Sequence, residues 1–129
     1  MSSRIAPIGP ADAVRGRVPD ILRVYAETRE TVLEGGLVDR SLKELCARYI
    51  AEDEEVLEFA DSDRFSERER AALAWTHAIA WDSDSADAEL WERLHANFSE
   101  PELVELGYAI AFMLGQSHWL RTLGLGATT

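Results

Sequence analysis

The segment 98–123, FSEPELVELGYAIAFMLGQSHWLRTL, constrains the fold of this chain more than any other. Ser99 and Glu102 have the spacing of a capping box, which marks the first turn of a helix. No charged residue occurs from Leu106 to Gly115, so the helix that follows is apolar on nearly every side. Such a helix is usually buried over most of its surface. We therefore predict a long, buried C-terminal helix against which the other helices pack.

The composition limits the number of domains and the classes of partner. A chain of 129 residues, 47% of them hydrophobic, fits one globular domain over residues 1–129. Its formal net charge of −11 argues against nucleic acid, whose phosphates would be repelled. The apolar run in the last helix is shorter than the about 20 residues that a membrane span needs. We expect a protein that binds neither nucleic acid nor a membrane.

The cysteine count and the N-terminus bear on location. Cys46 is the one cysteine, so it cannot form an internal disulfide of the kind that staples small secreted domains. The first residues contain no apolar run that could serve as a secretory signal peptide. Both observations predict a cytoplasmic protein. Because Cys46 shares a helical stripe with Leu42, Leu45 and Tyr49, we predict that it is a small core residue.

Apolar residues at helical spacing recur in the first half of the chain. Residues 1–17 contain several prolines and glycines and are predicted to form an irregular arm. Pro19 is typical of a helix start, and the pair Gly35-Gly36 is typical of the end of that helix. A second helix is predicted over residues 39–51.

The second half of the chain repeats the same signals. Ser66 and Glu69 form another capping box, which predicts a helix that runs to about Trp81. A short helix over residues 87–96 is expected next. Its inward residues are predicted to be Leu90, Trp91 and Leu94. Since no segment alternates apolar and polar residues as half-buried strands do, the predicted fold class is all-α.

An acidic segment and the histidines are the residues that could bind a metal ion. Seven acidic residues and no basic residue lie from Glu52 to Asp63. Carboxylates suit Ca²⁺ or Mg²⁺, but the glycine that an EF-hand loop needs is absent. We interpret the segment as a short helix with solvated acids. The separated histidines lack further ligands at the spacing of a zinc site, so we predict no metal and no cofactor.

Four segments resemble the carboxymuconolactone decarboxylase and alkylhydroperoxidase D-like (AhpD-like) family. They are GRVPDILRVYAE (16–27), SLKELCARYIA (41–51), DRFSERERAALAWTHAIA (63–80) and LWERLHANFSEPELVELGYAIAF (90–112). Their order matches the family, and the two pieces that contain Phe-Ser-Glu are the most telling. The resemblance implies an all-helical, AhpD-like bundle that forms homo-oligomers.

The resemblance also implies which chemistry is missing. The redox branch of the family uses a Cys-x-x-Cys helix with an upstream Glu and a downstream His, and its two thiols attack and resolve in turn. Glu44 matches the Glu of this pattern. An ungapped count places the two cysteine positions at Val56 and Phe59, and a deletion of the cysteine-bearing helix is the favoured explanation. We therefore predict no peroxidase or disulfide activity. The decarboxylase branch handles a small lactone acid, for which a cationic or hydrogen-bonding pocket is expected.

Three residues are candidate catalytic groups. His77 and His118 lie on apolar sides of their helices, where a histidine can act as a general base near neutral pH. Glu44 is the third candidate, through its place in the family pattern. We hypothesise that the two histidines line one pocket. Its walls would be Trp81, Tyr108 and Trp119. The alternative is a pair of hydrogen-bonded core or interface histidines, with Glu44 on the surface.

Two functions fit this sequence, and whether the chain is an enzyme stays open. In the first, it is a divergent, non-redox family member that acts as a lyase-like enzyme or binds a small apolar acid or lactone in a helical pocket. In the second, it is a catalytically inactive homo-oligomeric scaffold or interaction protein. Histidines that converge on an open cavity would favour the first function, and exposed histidines on a filled core would favour the second.

Overall fold

The computed structural model describes residues 11–125, and within them the predicted all-α class is confirmed. Seven α-helices and two short irregular helical turns make up this range, and it contains no strand. The α-helices are α1 (Ala11–Arg15), α2 (Pro19–Arg29), α3 (Arg40–Ile50), α4 (Glu54–Phe59), α5 (Glu67–Ala80), α6 (Ala88–Asn97) and α7 (Glu100–Thr122). A π-helical turn, Glu30–Glu34, extends α2, and a 3₁₀ turn, Ser83–Ser85, precedes α6. None of the described helices combines the length and the apolar character that crossing a membrane requires.

The core lies where α3, α5 and α7 contact one another, and α6 packs against α5 from outside. Cys46 of α3, Leu73 of α5, and Leu106 and Ile110 of α7 are almost completely removed from solvent. Burying a large aliphatic side chain stabilises the folded state by about 1.5–3 kcal/mol relative to leaving it exposed. The prediction that Cys46 is a core residue is confirmed.

Both predicted capping boxes are present. The hydroxyl of Ser66 accepts a hydrogen bond from the N–H of Glu69, whose carboxylate accepts one from the N–H of Ser66 at 2.8 Å. Ser99 and Glu102 make the same reciprocal pair at the start of α7, again with a 2.8 Å bond to the carboxylate. Each box satisfies N–H groups that a helix start otherwise leaves unpaired. The two central helices therefore begin where the sequence predicts.

The prediction that α7 is buried on most of its surface is wrong for the single chain. One face of the helix packs on the core, while Val104 and Tyr108 on another face are 73% and 62% exposed. Ala111, Gly115 and Trp119 continue the exposed face along the helix. An uncharged sequence cannot show which of its faces will be covered, because apolar residues on all sides look alike in the helical pattern. We call the residues Val104, Tyr108, Ala111, Gly115, His118 and Trp119 the outer stripe of α7.

Part of the predicted irregular arm is helical. Residues 11–15 form α1, whereas residues 1–10 lie outside the described residues. Arg15 is 2% exposed because its guanidinium lies 3.5 Å from the ring centroid of Tyr25 and donates to Gln116 Oε1 at 2.8 Å. These partners come from α2 and α7. The local sequence of α1 therefore could not predict the contacts that hold this helix in place.

Trp91 does not point inward as predicted. Its neighbours on α6, Leu90 and Leu94, are buried, but Trp91 is 38% exposed. Adjacent residues of an α-helix are turned by about 100° from each other, so both Leu90 and Trp91 cannot face the core centre. The Trp91 ring packs instead edge-on against Trp75 of α5, with 5.5 Å between ring centroids.

Two glycines of α7 provide a matched test of this packing. A Cβ at Gly107 would lie 2.7 Å from the ring of buried Trp75, whereas a Cβ at Gly115 would meet nothing within 4 Å. We expect Gly107→Ala to lower the free energy of unfolding by about 1–3 kcal/mol through overpacking. Gly115→Ala should raise it by about 1 kcal/mol through better helix propensity. Urea unfolding followed by circular dichroism measures both, and equal effects of the two changes would contradict the described packing of α7.

Candidate functional site

A cavity of about 310 Å³ opens between the π-helical turn, α3 and α7, and we call it the α3–α7 pocket. Its apolar part comes from Leu33, Ala47, Ile50, Ala51 and Met113. The polar lining residues are Arg29, Glu34, Arg40, Lys43, Glu44, Arg48 and Ser117. An apolar interior with a few polar groups is the usual composition of a small-molecule site.

Basic side chains outnumber acidic ones in the lining of this pocket, although the chain is strongly acidic and each of these basic side chains has a carboxylate partner. Four lining residues are basic and two are acidic, in a chain whose formal net charge is −11. Basic groups gathered around a partly apolar cavity raise the local concentration of anions. The pocket therefore favours a ligand that is apolar over most of its surface and negatively charged at one end.

Lys43 forms part of the pocket wall and is 1% exposed. Its ammonium donates to the carbonyl of Gly35 at 2.8 Å and lies 3.0 Å from Glu105 Oε2. A buried ammonium is tolerated only where such partners offset the loss of hydration. The lysine thus joins α3 to the loop after α2 and to α7, which fixes three sides of the pocket.

Glu105 completes this anchor from α7. Its carboxylate accepts hydrogen bonds from the N–H groups of Leu37 at 2.9 Å and Val38 at 2.7 Å. Gly36 has a φ of +98°, and a Cβ there would lie 2.1 Å from Glu105 Oε1. Only glycine satisfies both the backbone angle and the close approach of the carboxylate.

The rim of the pocket carries a chain of ion pairs. Glu34 lies between two arginines, 2.5 Å from Arg29 Nη1 and 2.8 Å from Arg40 Nη1. Arg40 also donates to Glu44 at 3.1 Å, so the carboxylate of Glu44 is held at the rim. Glu44, one of the three predicted catalytic candidates, therefore lies in the pocket lining.

Ser117 is the one polar residue of the pocket whose requirement for a hydrogen bond is unmet among the described residues. It is 2% exposed, and its hydroxyl has no hydrogen-bond partner. A serine inside a helix commonly bonds to the carbonyl four residues earlier, which is Met113 here. Leaving a hydroxyl buried and unpaired costs about 1–3 kcal/mol, so a ligand group that bonds to it would recover that energy. The sequence analysis did not single out Ser117, although its spacing from Met113 places both on one face of α7.

His77 lies in a different place, beside Tyr49 and Trp81. Its Nδ1 is 3.0 Å from the hydroxyl of Tyr49, and its ring meets Trp81 edge-on at 5.8 Å between centroids. Burial raises the pKa of Tyr49, so the phenol keeps its proton at neutral pH and can donate to Nδ1. His77 and Tyr49 line a second, more polar cavity of about 410 Å³ between α5 and α6.

The structure does not bring the predicted pocket residues together. His118, Tyr108 and Trp119 belong to the exposed outer stripe of α7 and line neither of the two cavities. Trp119 instead lies near Arg15, with 5.8 Å between the guanidinium carbon and the ring centroid. Of the five residues, His77 and Trp81 are the two that the fold places in contact. A shared pocket for the two histidines across a subunit interface stays a prediction.

Cys46 is enclosed by the core. The thiol has no exposed surface, and burial raises its pKa to about 11, while a hydrogen bond with Thr76 acts weakly in the other direction. At neutral pH this sulfur is a protonated thiol, and the thiolate is the nucleophilic form. Across residues 11–125, no three His, Cys, Asp or Glu residues gather closely enough to hold a metal ion.

Comparison with known proteins assigns no family to this chain. No family model matches the chain, and neither the curated proteins nor the solved structures contain a match. The resemblance to the carboxymuconolactone decarboxylase and AhpD-like family therefore rests on the quoted segments alone.

The Lys43–Glu105 anchor makes stability depend on pH. Burial raises the pKa of Glu105, but hydrogen bonds from Val38 and Leu37 and the Lys43 ammonium outweigh it, so the pKa falls below its ordinary 4.5. A lowered pKa in the folded state contributes stability that is fully present above pH 4.5 and is lost as the pH falls through the lowered value.

We expect Glu105→Gln to lower the free energy of unfolding at pH 7 by about 3–5 kcal/mol, since it leaves the Lys43 charge buried without its counter-ion. The variant should also lose less stability than the parent between pH 5 and pH 3. Denaturant unfolding at several pH values measures both effects. Glu27→Gln, which breaks an exposed ion pair with Arg23, is the control and should change stability by less than about 1 kcal/mol. Parallel pH profiles for parent and Glu105→Gln would contradict this role.

Proposed function

We propose that this chain binds a small apolar carboxylic acid in the α3–α7 pocket, as a divergent, non-redox relative of the carboxymuconolactone decarboxylase and AhpD-like family. The observation that carries the proposal is the composition of that pocket. An apolar interior around Met113 and Ile50 lies next to a rim with three arginines, Arg29, Arg40 and Arg48. The quoted sequence segments support the family, and the basic rim supports the acid.

The binding mode follows from where the charges lie. The carboxylate of the ligand would bind at the rim, because guanidinium groups match its planar geometry with paired hydrogen bonds. The apolar part would extend inward along Leu33, Ala47 and Met113, where each Å² removed from water gains about 25 cal/mol. Ser117 offers a hydroxyl to an oxygen of the ligand, such as the carbonyl of a lactone ring.

Binding, rather than catalysis, is the core of this proposal. Glu44 is the candidate proton acceptor at the pocket, but its carboxylate already accepts a hydrogen bond from Arg40. His77 lines the other cavity and His118 is exposed. A lyase-like reaction would therefore have to use Glu44 and the hydroxyl of Ser117 rather than the histidines.

Filling the pocket should abolish ligand binding without unfolding the protein. Octanoate and 1-octanol are suitable probes because they share a chain length and differ in charge. We expect octanoate to bind at least tenfold more tightly than 1-octanol, and Ala47→Leu to weaken octanoate at least tenfold by occupying apolar pocket volume. Isothermal titration calorimetry measures the affinities.

The matched control is Ala96→Leu, which adds the same atoms at an exposed position of α6. It should bind octanoate like the parent. Equal binding of octanoate and 1-octanol, or no effect of Ala47→Leu, would refute the proposed site.

A second candidate function, the homo-oligomeric scaffold, is favoured by the outer stripe of α7. None of its six residues carries a formal charge with His neutral, although 29% of the residues in the chain are charged. Two chains of net charge −11 repel each other, and an uncharged face is where they can approach at the lowest electrostatic cost. Two antiparallel α7 helices related by a twofold axis near residues 111–112 would set Tyr108 of one copy opposite the open Gly115 of the other.

Tyr108→Glu tests the scaffold. A carboxylate at this position would place two like charges near the twofold axis and should shift an oligomer to monomer, with a tenfold or larger increase in dissociation constant. Light scattering coupled to size exclusion measures the molar mass. Ala96→Glu adds the same charge on α6 and should leave the mass unchanged. A parent protein that is monomeric at high concentration would rule the scaffold out.

A further inference from the structure

The carboxylate of Glu34 occupies the position where an acidic ligand would find its best partners. One oxygen lies 2.5 Å from Arg29 Nη1 and the other 2.8 Å from Arg40 Nη1. The two guanidinium groups come from the end of α2 and the start of α3, so they meet only in the folded chain. A carboxylate gripped by two guanidinium groups through charge-assisted hydrogen bonds is the arrangement expected for a bound acid.

Glu34 can leave this position without disturbing the fold. Its side chain is 29% exposed, and it is the last residue of the π-helical turn, directly before Gly35 and Gly36. The backbone that follows is fixed separately, because the carbonyl of Gly35 accepts from Lys43 and the next N–H groups bind Glu105. Rotation of the Glu34 side chain toward solvent therefore breaks two ion pairs and no backbone hydrogen bond.

We propose that Glu34 is an internal competitor of the ligand: its carboxylate fills the Arg29–Arg40 site in the empty protein, and the carboxylate of a bound acid takes its place. This inference rests on the proposed function and adds how the site is regulated. In the empty state the Glu34 carboxylate lies between the guanidinium groups of Arg29 and Arg40 and offsets their mutual repulsion. In the bound state the ligand supplies the same charge, and Glu34 turns to solvent.

Two further observations support the exchange. The hydrogen bond with Glu34 raises the pKa of the Arg29 guanidinium above its ordinary value, which is the effect expected of any carboxylate that occupies this site. Partly exposed ion pairs contribute little stability each, so a ligand that also gains apolar burial can displace Glu34. The competitor therefore sets a threshold: it rejects free carboxylates that lack an apolar tail and admits amphipathic ones.

Glu34→Gln tests this inference, since the amide keeps the size of the side chain and removes its charge. The variant should bind octanoate about tenfold more tightly than the parent, because two competing ion pairs are gone. It should also gain measurable affinity for acetate, while its affinity for 1-octanol stays the same. Glu27→Gln on α2 is the matched control, as it removes a carboxylate that pairs with Arg23 outside the pocket. It should bind octanoate within twofold of the parent.

A double variant locates the effect. Adding Arg40→Gln to Glu34→Gln should remove most of the gain, since the freed arginine is what the octanoate carboxylate would bind. A measurement on the unaltered protein does not depend on how the variants fold. The carbon-13 shift of the Glu34 side-chain carboxyl should move when octanoate saturates the protein and stay in place with 1-octanol.

The outcomes separate this inference from the proposed function. If the parent binds octanoate but Glu34→Gln binds it equally or less tightly, or the Glu34 carboxyl shift does not move, the competitor role is overturned while the binding site stands. If neither parent nor variant binds octanoate, the proposed function itself fails, and the inference fails with it.

Discussion

A buried ammonium–carboxylate pair holds the three walls of the pocket in place. Lys43 comes from α3 and Glu105 from α7, and the loop between them in space supplies the carbonyl of Gly35 and the N–H groups of Leu37 and Val38. Removing two charges from water costs several kcal/mol each, so burial of the pair is tolerable only because both groups also bond to the backbone, Lys43 to a carbonyl and Glu105 to two N–H groups. The same bonds fix the direction in which the polypeptide enters α3. The anchor therefore fixes where the loop lies against α7 at one side of the pocket.

Basic residues surround the pocket next to this anchor. The protein is strongly acidic overall, yet its basic residues concentrate where α2, α3 and the π-helical turn meet. Each of those at the pocket has a carboxylate partner in the chain itself. Glu34 pairs with Arg29 and Arg40, Glu44 with Arg40, Asp53 with Arg48, and Glu105 with Lys43. Such internal pairing stabilises an anion site while it is empty. The affinity for an external acid then depends on how much better the ligand carboxylate binds the arginines than the carboxylate it displaces.

Helix α7 presents two surfaces with different chemistry. Met113 and Ser117 face the pocket, whereas Tyr108 and Gly115 lie on the exposed outer stripe. Because the surfaces lie on different sides of one helix, ligand binding and self-association would use separate residues. His118 belongs to the outer stripe, which accounts for its exposure in the single chain and for its separation from His77.

The sequence by itself determined the all-α class and the starts of α5 and α7, because those signals are local. Ser66 with Glu69, and Ser99 with Glu102, are three residues apart and fix where α5 and α7 begin whatever surrounds them. The burial of Cys46 also followed from the spacing of one helical face. Glu44 was a predicted catalytic candidate because of a family pattern, whereas its place at the rim depends on its hydrogen bond to Arg40.

Only the tertiary structure decided which polar residues are buried and which apolar residues are not. Glu105 is the partner that makes burial of Lys43 tolerable, and it also binds Val38, which is 67 positions away in the chain. Local sequence cannot reveal a partner at such a distance. Ser117 is indistinguishable from a surface serine until its helix packs. The outer stripe of α7 is as free of Asp, Glu, Lys and Arg as the buried face, so the placement of the neighbouring helices decides which side is covered. The free energy of a buried charge or an exposed apolar face depends on partners distant in the chain.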